Sequence, residues 1–364
     1  MIVFVSSARR FERKIRSSFF IPVLAAWLIF GSPAFLSAAP PKTDSSPKPN
    51  LLLFLADDLG YEKLGCYGGL KTVTPNLDRM AGQGVLFTRA YTSPVCTPSR
   101  MSLYTGTYTP RHRYTRVLPV HKGTKQAVDF RKWKTYAQVL RGAGYATSVT
   151  GKWQLATLEH HPDHIRVAGF DSWCIWQIWR NGAKTTRYWK PLFNRDGRVR
   201  DDIADRFGPD VLTDYVIERM HAAQKVDKPF LIHHNMMLPH WPIIQTPEDR
   251  RRGRKASLEG MIQCMDRQVG RLLKAVEAMQ SNRPTFVFFV GDNGTDEKQP
   301  RPTKAGKVTG GKRTLNDGGS HVPMVVWGSG VPKPGRRVDD LVDMADFFRS
   351  FCELAGATVP KGAA

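Results

Sequence analysis

Cys96-Thr97-Pro98-Ser99-Arg100, followed by Leu103 and by Thr105-Gly106, sets a sulfur just ahead of a short helical run. A thiol at that position lies near unpaired backbone N–H groups and the positive end of a helix dipole, which suits reactive chemistry. An isolated cysteine is more often a small buried hydrophobe. The fixed spacing of Pro, Ser, Arg, Leu and Thr-Gly around this one makes it part of a pattern instead. A second group of residues offers oxygen: Asp57, Asp58, Asp292 and Asn293 include no imidazole or soft ligand, so they suit Ca2+ or Mg2+ rather than zinc. Three carboxylates and an amide make a nearly all-protein cage, which favours Ca2+, because Mg2+ usually keeps several waters. The third group is cationic or donating. Arg100, Lys152, His240 and Lys312 are able to hold the oxygens of a tetrahedral anion and stabilise charge as an ester bond breaks. A divalent cation beside them would neutralise an anionic ester and lower the pKa of a coordinated hydroxyl.

These residues are scattered over some 250 positions, so the fold has to gather them. Asn50 to Ala56 is a continuous apolar run ending in Asp57-Asp58, the form of a buried parallel strand with acids at its carboxyl end. Helices are predicted over Pro75 to Gly84, Ser99 to Tyr104 and Thr135 to Arg141, then a strand over Tyr145 to Thr150 that runs into Gly151-Lys152-Trp153. Residues 157–209, with many Trp, Arg and Asp, read as an irregular inserted loop region. A helix near Val211 to Ala223 precedes a strand over Pro229 to His234 and the turn Pro239-His240-Trp241-Pro242. Apolar residues at three-to-four spacing make Leu258 to Met279 an amphipathic helix. A strand over Thr285 to Val290 ends in Gly291-Asp292-Asn293-Gly294, and a strand over Met324 to Trp327 and a helix over Ala345 to Ala355 complete the chain. Such alternation predicts an α/β fold, a doubly wound and mostly parallel sheet flanked by helices, which binds ligands beyond the carboxyl ends of its strands. Taken singly, the polar clusters have plain structural readings: acidic pairs cap helices, Asp-Asn-Gly makes turns, and Lys312 lies in a basic, turn-rich stretch. Together they fall on one rim.

The chain has 364 residues and a formal net charge of +22. Arg9, Arg10, Arg13, Lys14 and Arg16 precede an apolar run from Phe19 to Phe30 and small residues from Gly31 to Ala39, the three parts of a secretory signal peptide cleaved near Ala38. The apolar run is short for a membrane span, so no stable membrane insertion is expected after cleavage, and the protein is expected to be exported to a periplasm or secreted. Residues 39–49 read as a Pro, Lys and Ser linker, and 50–364 as the catalytic domain. Residues 1–16 carry a net +4, so the remainder keeps about +18, a surface that attracts polyanions or merely keeps the protein soluble. No nucleic-acid motif is present, and the longest basic run, Arg250 to Arg252 with Arg254 and Lys255, reads as a solvated loop. Cys66, Cys174, Cys264 and Cys352 allow three disulfide pairings, and their spacing selects none.

The pattern CxPSRxxLxTG resembles the signature of type I sulfatases, of the alkaline phosphatase superfamily. The resemblance extends from Pro49-Asn50 through the paired aspartates, Gly151-Lys152-Trp153, Pro239-His240-Trp241-Pro242 and Gly291-Asp292-Asn293-Gly294 to Gly318-Gly319 with Val322-Pro323. It implies that Cys96 is oxidised to formylglycine by a formylglycine-generating enzyme, and that Asp57, Asp58, Asp292, Asn293 and the modified Cys96 hold Ca2+. It further implies that Arg100 steadies the formylglycine, that Lys152, His240 and Lys312 bind the sulfate group, and that His240 or Lys312 gives the leaving alcohol its proton. Attack on sulfur by a hydrated aldehyde splits hydrolysis into two easier steps; the sulfated form of a plain Ser or Cys has no neighbouring hydroxyl to expel it. The substrate class so implied is an aryl sulfate, another sulfated small molecule or a sulfated polysaccharide.

Three departures qualify that expectation. Where the family usually has GKWHLG, this chain has Gly151-Lys152-Trp153-Gln154-Leu155-Ala156, and Gln154 can hydrogen-bond but cannot take a proton. The family's EGGxRVP appears as Asp317-Gly318-Gly319-Ser320-His321-Val322-Pro323, a change expected in a supporting loop. Family members usually continue into a small antiparallel C-terminal subdomain, so with its end at Ala364 the chain is expected to lack it or to be truncated. Two other classes share parts of the pattern. A phosphoester hydrolase of the superfamily would normally use Ser or Thr and zinc with several His, and a non-catalytic sulfated-glycan-binding homologue would tolerate Gln154.

Overall fold

The structure, a computed structural model, describes residues 47–120, 125–297 and 299–362. The expected signal peptide and most of the expected linker lie outside the described residues. The main sheet is built from β1 (Asn50–Ala56), β2 (Val85–Tyr91), β3 (Ala146–Gly151), β4 (Ser172–Trp176), β7 (Phe193–Arg195), β8 (Arg198–Arg200), β9 (Phe230–Asn235), β10 (Thr285–Gly291), β13 (His321–Trp327) and β14 (Arg336–Asp343), with the hairpins β5 (Trp179–Arg180)/β6 (Ala183–Lys184) and β11 (Pro300–Thr303)/β12 (Gly306–Thr309) outside it. Its order is β14-β2-β13-β10-β1-β9-β3-β4-β7-β8, and the five neighbours from β10 to β4 are mutually parallel. Every residue of β1 and of β10 is buried, which is why both read as unbroken apolar runs. At the outer edge, β14 is largely exposed and carries Arg336, Arg337, Asp339 and Asp340, charges that discourage pairing with another chain.

Helices cover both faces. Pro75–Gly82, Gly208–Lys225 and Leu258–Glu277 pack on one another as one layer, and Cys96–Thr105, Tyr136–Gly142 and Asp346–Leu354 as the other. The stripe Met261, Ile262, Met265, Val269, Leu272, Leu273 and Val276 is buried as its spacing predicted, and the Ser257 side chain caps that helix by accepting from the Gly260 N–H. The doubly wound, mostly parallel α/β architecture is therefore present. Among the described residues no helix is long and apolar enough to cross a membrane.

Two expectations are corrected. Residues 157–209 are not an irregular insertion: they contribute β4, β7 and β8 to the sheet and fold the β5–β6 hairpin beside it. These strands are two to five residues long and gain their order from pairing with β3 and with each other, a non-local term that a local pattern does not carry. The basic run at 250–255 is not a free solvated loop either. Arg250 and Arg251 end the helix Pro247–Arg251, Arg251 pairs with Glu248, Arg254 pairs with Asp249 at 3.0 Å, and Arg250 lies over the Trp189 ring.

Candidate active site

The carboxyl ends of four adjacent strands form the rim: β10 leads into Asp292-Asn293, β1 into Asp57-Asp58, β9 into Asn235 and the turn bearing His240, and β3 into Lys152. Backbone bonds tie these ends together, from Asp57 N–H to Leu238 carbonyl, Lys152 N–H to Asn235 carbonyl and Asp292 N–H to Ala56 carbonyl. Gly151 makes the β3 end possible. A Cβ there would lie 1.7 Å from the Asn235 carbonyl oxygen, and the backbone adopts φ +94, so only glycine lets Lys152 turn inward. Asp58 and Gln154 hold positive φ values of 65 and 61 without being glycine, a local strain of the kind concentrated at functional sites.

Cys96 opens the helix Cys96–Thr105, three residues earlier than predicted, and all ten residues of that helix are buried. Complete burial erases the amphipathic period that sequence reading relies on. Pro98 is tolerated because N–H groups in a first turn lack helical acceptors anyway. Gly106 ends the helix at φ 60, where a Cβ would approach Phe348 Cβ to 2.7 Å, which accounts for the Thr-Gly of the pattern. The helix dipole favours a thiolate at Cys96, but the residue is buried, and burial pushes the thiol above its ordinary pKa, with Asp292 and Asp57 adding to the shift against Lys152 and Arg100. Burial wins, so Cys96 is a neutral thiol and not an activated nucleophile, contrary to the expectation from the dipole alone.

Behind Cys96 lies a dense ionic network. Arg100, fully buried, donates to the Lys152 carbonyl at 2.9 Å, to Asn235 Oδ1 and to Asp292 Oδ2 at 2.8 Å, and stands 3.7 Å from Asp57 Oδ1. Lys152 Nζ donates to Asp57 Oδ1 at 2.7 Å, and Lys312 Nζ to Asp58 Oδ2 at 2.6 Å. Lys312 is thus a buried member of the site rather than a mobile loop lysine. Burial opposes charge on Asp57, but the Lys152 and Arg100 charges outweigh it and hold the carboxyl well below the usual range. Burial, reinforced by the Asp57 charge, pushes Asp292 the other way. His240 Nε2 is 3.6 Å from Asp58 Oδ2, and burial pushes this imidazole down to about 3, so the ring is neutral at physiological pH.

The donor set fits a hard cation. Asp57 Oδ2 and Asn293 Oδ1 are buried acceptors without a hydrogen-bond partner, which is costly unless a cation satisfies them. Ligand atoms of Asp57, Asp58 and His240 lie within 4.8 Å of one another, so the imidazole borders the oxygen donors expected from sequence. Asp292 is turned toward Arg100 and toward the Asp58 N–H, which its Oδ1 accepts at 3.1 Å. A cavity of about 520 Å³ opens over this floor. Cys96, Lys152, Gln154, His240 and Lys312 line its base, and Trp176, Tyr188, Trp189 and Trp241 its walls. Gln154 Nε2 donates to the Leu118 carbonyl at 3.3 Å.

Sequence reading missed Asn235, which orients Arg100 and donates to the Tyr104 hydroxyl, and Arg187, whose guanidinium meets His240. Asn235 had a signal, a polar residue ending the apolar strand Phe230–Asn235; Arg187 had none. Asp317 and His321 stay clear of the cavity. His321 stacks between Tyr61 and Tyr91, whose hydroxyls both reach Asp317, the supporting loop that was expected.

A sulfatase family model matches residues 49–357. The chain belongs to the sulfatase family. It is 30% identical to a dog N-acetylgalactosamine-6-sulfatase over 90% of this chain and 66% of that protein, and 26% identical to an N-acetylgalactosamine-6-O-sulfatase of Bacteroides thetaiotaomicron over 88% and 75%. A crystal structure of Ps i-CgsB with k-i-k-neocarrahexaose superposes with a TM-score of 0.73 at 26% identity, covering 87% of this chain and 74% of that one. The chain spans about two thirds of the length of the mammalian sulfatases it matches. The sulfatase assignment also places it in the alkaline phosphatase superfamily, in agreement with its parallel sheet.

Proposed function

We propose that this chain hydrolyses a sulfate ester to an alcohol and inorganic sulfate, with formylglycine made from Cys96 as nucleophile and Ca2+ held by Asp57, Asp58, Asp292, Asn293 and the modified residue. The supporting observation is convergence: Cys96, Lys152, His240 and Lys312 share one cavity floor above two orphaned buried oxygens. When present, the aldehyde supplies a hydrated nucleophile and the cation neutralises charge on the ester. Arg100 steadies residue 96 from behind, its guanidinium fixed by Asn235, Asp292 and the Lys152 carbonyl. Lys152 and Lys312 bring ammonium groups to the sulfate oxygens, and Lys312 Nζ or His240 Nε2 stands where the leaving oxygen needs a proton or a hydrogen bond. Flat aromatic walls and an exposed Trp241 at the mouth suit the face of a sugar ring. With the galactosamine sulfatase relatives and the neocarrahexaose complex, they favour a sulfated saccharide over a simple aryl sulfate. Export through residues 1–38, maturation by a formylglycine-generating enzyme and a single catalytic domain over 50–364 belong to the same reading.

The test is sulfate release by protein produced alongside a formylglycine-generating enzyme, on sulfated galactosamine, carrageenan oligosaccharides and an aryl sulfate. Release is expected on a saccharide, with a loss of at least about tenfold after chelation and recovery on adding Ca2+. Retention of the glycans without any sulfate release would make the chain a binding protein and sink the proposal.

Gln154 is expected to orient residue 96 through its amide while passing no proton. Gln154→His should therefore change kcat by less than about threefold. A rise of tenfold or more in steady-state turnover would show that the native residue limits breakdown of the sulfated enzyme.

A further inference from the structure

Arg187 lies between the β5–β6 hairpin and β7 and is 7% exposed. Its guanidinium carbon is 4.8 Å from the Trp176 ring centre and 5.1 Å from that of Tyr188. Among the described residues no carboxylate pairs with it, and its Nε is buried without a partner, so aromatic faces rather than a counter-ion surround this charge. The ionic network behind Cys96 sets Asp57, Asp58 and Asp292, with Asp296 at its edge, against Arg100, Lys152 and Lys312, and Arg187 joins none of these ion pairs. Its Nη2 lies 2.6 Å from His240 Nδ1 and also donates to the Trp241 carbonyl.

An arginine is a donor only and does not give up its proton in a protein. A group 2.6 Å from its Nη2 must present a lone pair, since a proton on His240 Nδ1 would set two N–H groups against each other. The 2.7 Å contact between His240 Nδ1 and the Trp241 carbonyl would by itself favour a proton on Nδ1. The same Nη2, however, has two hydrogens, one for each acceptor, and only the guanidinium cannot exchange its role. We infer that Arg187 is a positioning residue that holds His240 in the Nε2–H tautomer, with its hydrogen on the nitrogen that faces Asp58 and the cavity. The catalytic consequence rests on the sulfatase reading: His240 donates a hydrogen bond from Nε2 to a sulfate or leaving-group oxygen and cannot accept a proton there. The charge of Arg187, without an ion-pair partner among the described residues, adds to the attraction for an anionic ester.

The experiment reads the tautomer directly, by long-range 1H–15N correlation on full-length protein labelled with 15N-histidine, using His240→Gln to assign the signal. The wild type should show Nε2–H. Arg187→Met, which keeps an aliphatic stem against Trp176 and Tyr188, should move His240 toward Nδ1–H bonded to the Trp241 carbonyl. In the matured enzymes kcat for that variant should fall about 10²-fold with KM within about threefold. Arg187→Lys, still a cationic donor, should keep the tautomer and most of the rate even if the Met variant folds poorly. A wild type carrying Nδ1–H, or an Arg187→Met protein that loses activity with its tautomer unchanged, overturns the inference. A wild type that releases no sulfate, yet shows Nε2–H lost in Arg187→Met, removes the sulfatase reading and leaves the positioning role standing.

Discussion

Cys96→Ala is expected to reduce kcat for sulfate release by at least about 10⁴-fold, because no other group at the cavity base can take over the attack. The ammonium groups of Lys152 and Lys312 are committed to Asp57 and Asp58, and Gln154 is not a nucleophile. The other four cysteines are free thiols away from the cavity lining. Cys96→Ser should also fail under turnover, since its sulfated hydroxyl would have nothing adjacent to expel the sulfate. The cost to the fold should be small. Removing one buried sulfur leaves a cavity worth roughly 1 kcal/mol, so both variants should melt within a few degrees of the wild type. The check is the mass of the tryptic peptide Ala90 to Arg100 alongside sulfate release. Unmodified Cys96 in a fully active preparation, or a tenth of the activity surviving in Cys96→Ala, would refute the assignment.

Arg100→Met should show the reverse profile, a large loss of stability together with loss of activity. Arg100 is fully buried and serves the Lys152 carbonyl, Asn235 Oδ1 and Asp292 Oδ2. Methionine fills much of the same volume but strands Asp292 and weakens the support of Asp57, both buried. Removing one partner of such a pair costs about 3–5 kcal/mol, because the remaining charge cannot be rehydrated. That corresponds to a fall of about 5–8 °C in Tm for a domain of this size. Adding Asp292→Asn should restore part of the loss, since it removes the stranded carboxylate, whereas two unrelated lesions would simply add. A single-mutant loss below about 1 kcal/mol would show that the network does not hold the rim together.

The strands that carry the metal-type residues were legible from local pattern because β1 and β10 are buried on both faces and so are apolar throughout, with acids at their ends. The amphipathic helix Leu258–Glu277 was legible for the complementary reason, one face buried and one wet. Legibility failed where neither pattern exists. The helix Cys96–Thr105 is buried all round and shows no period, so its true start at Cys96 was hidden. Strand β4 had a local signal in Trp173, Ile175 and Trp176 that the Trp-rich stretch around it masked, whereas the three-residue β7 and β8 are ordered by pairing. Arg187 sits in that same region, one of many arginines in the stretch, and nothing local distinguishes it.

The chain's covalent order thus settled which groups stand at strand ends and which turn follows the thiol, because strand and helix periodicity and glycine conformations are local properties. Tertiary structure decided the electrostatics. Lys152 belongs to Asp57, Lys312 to Asp58, and Arg100 to Asp292 and Asn235 only because β10, β1, β9 and β3 lie side by side. Burial decided that Cys96 is a thiol despite its helix terminus, and that His240 is neutral. Charge–charge energies and desolvation depend on distance and on exclusion of water, and neither is written in the spacing of residues along the chain.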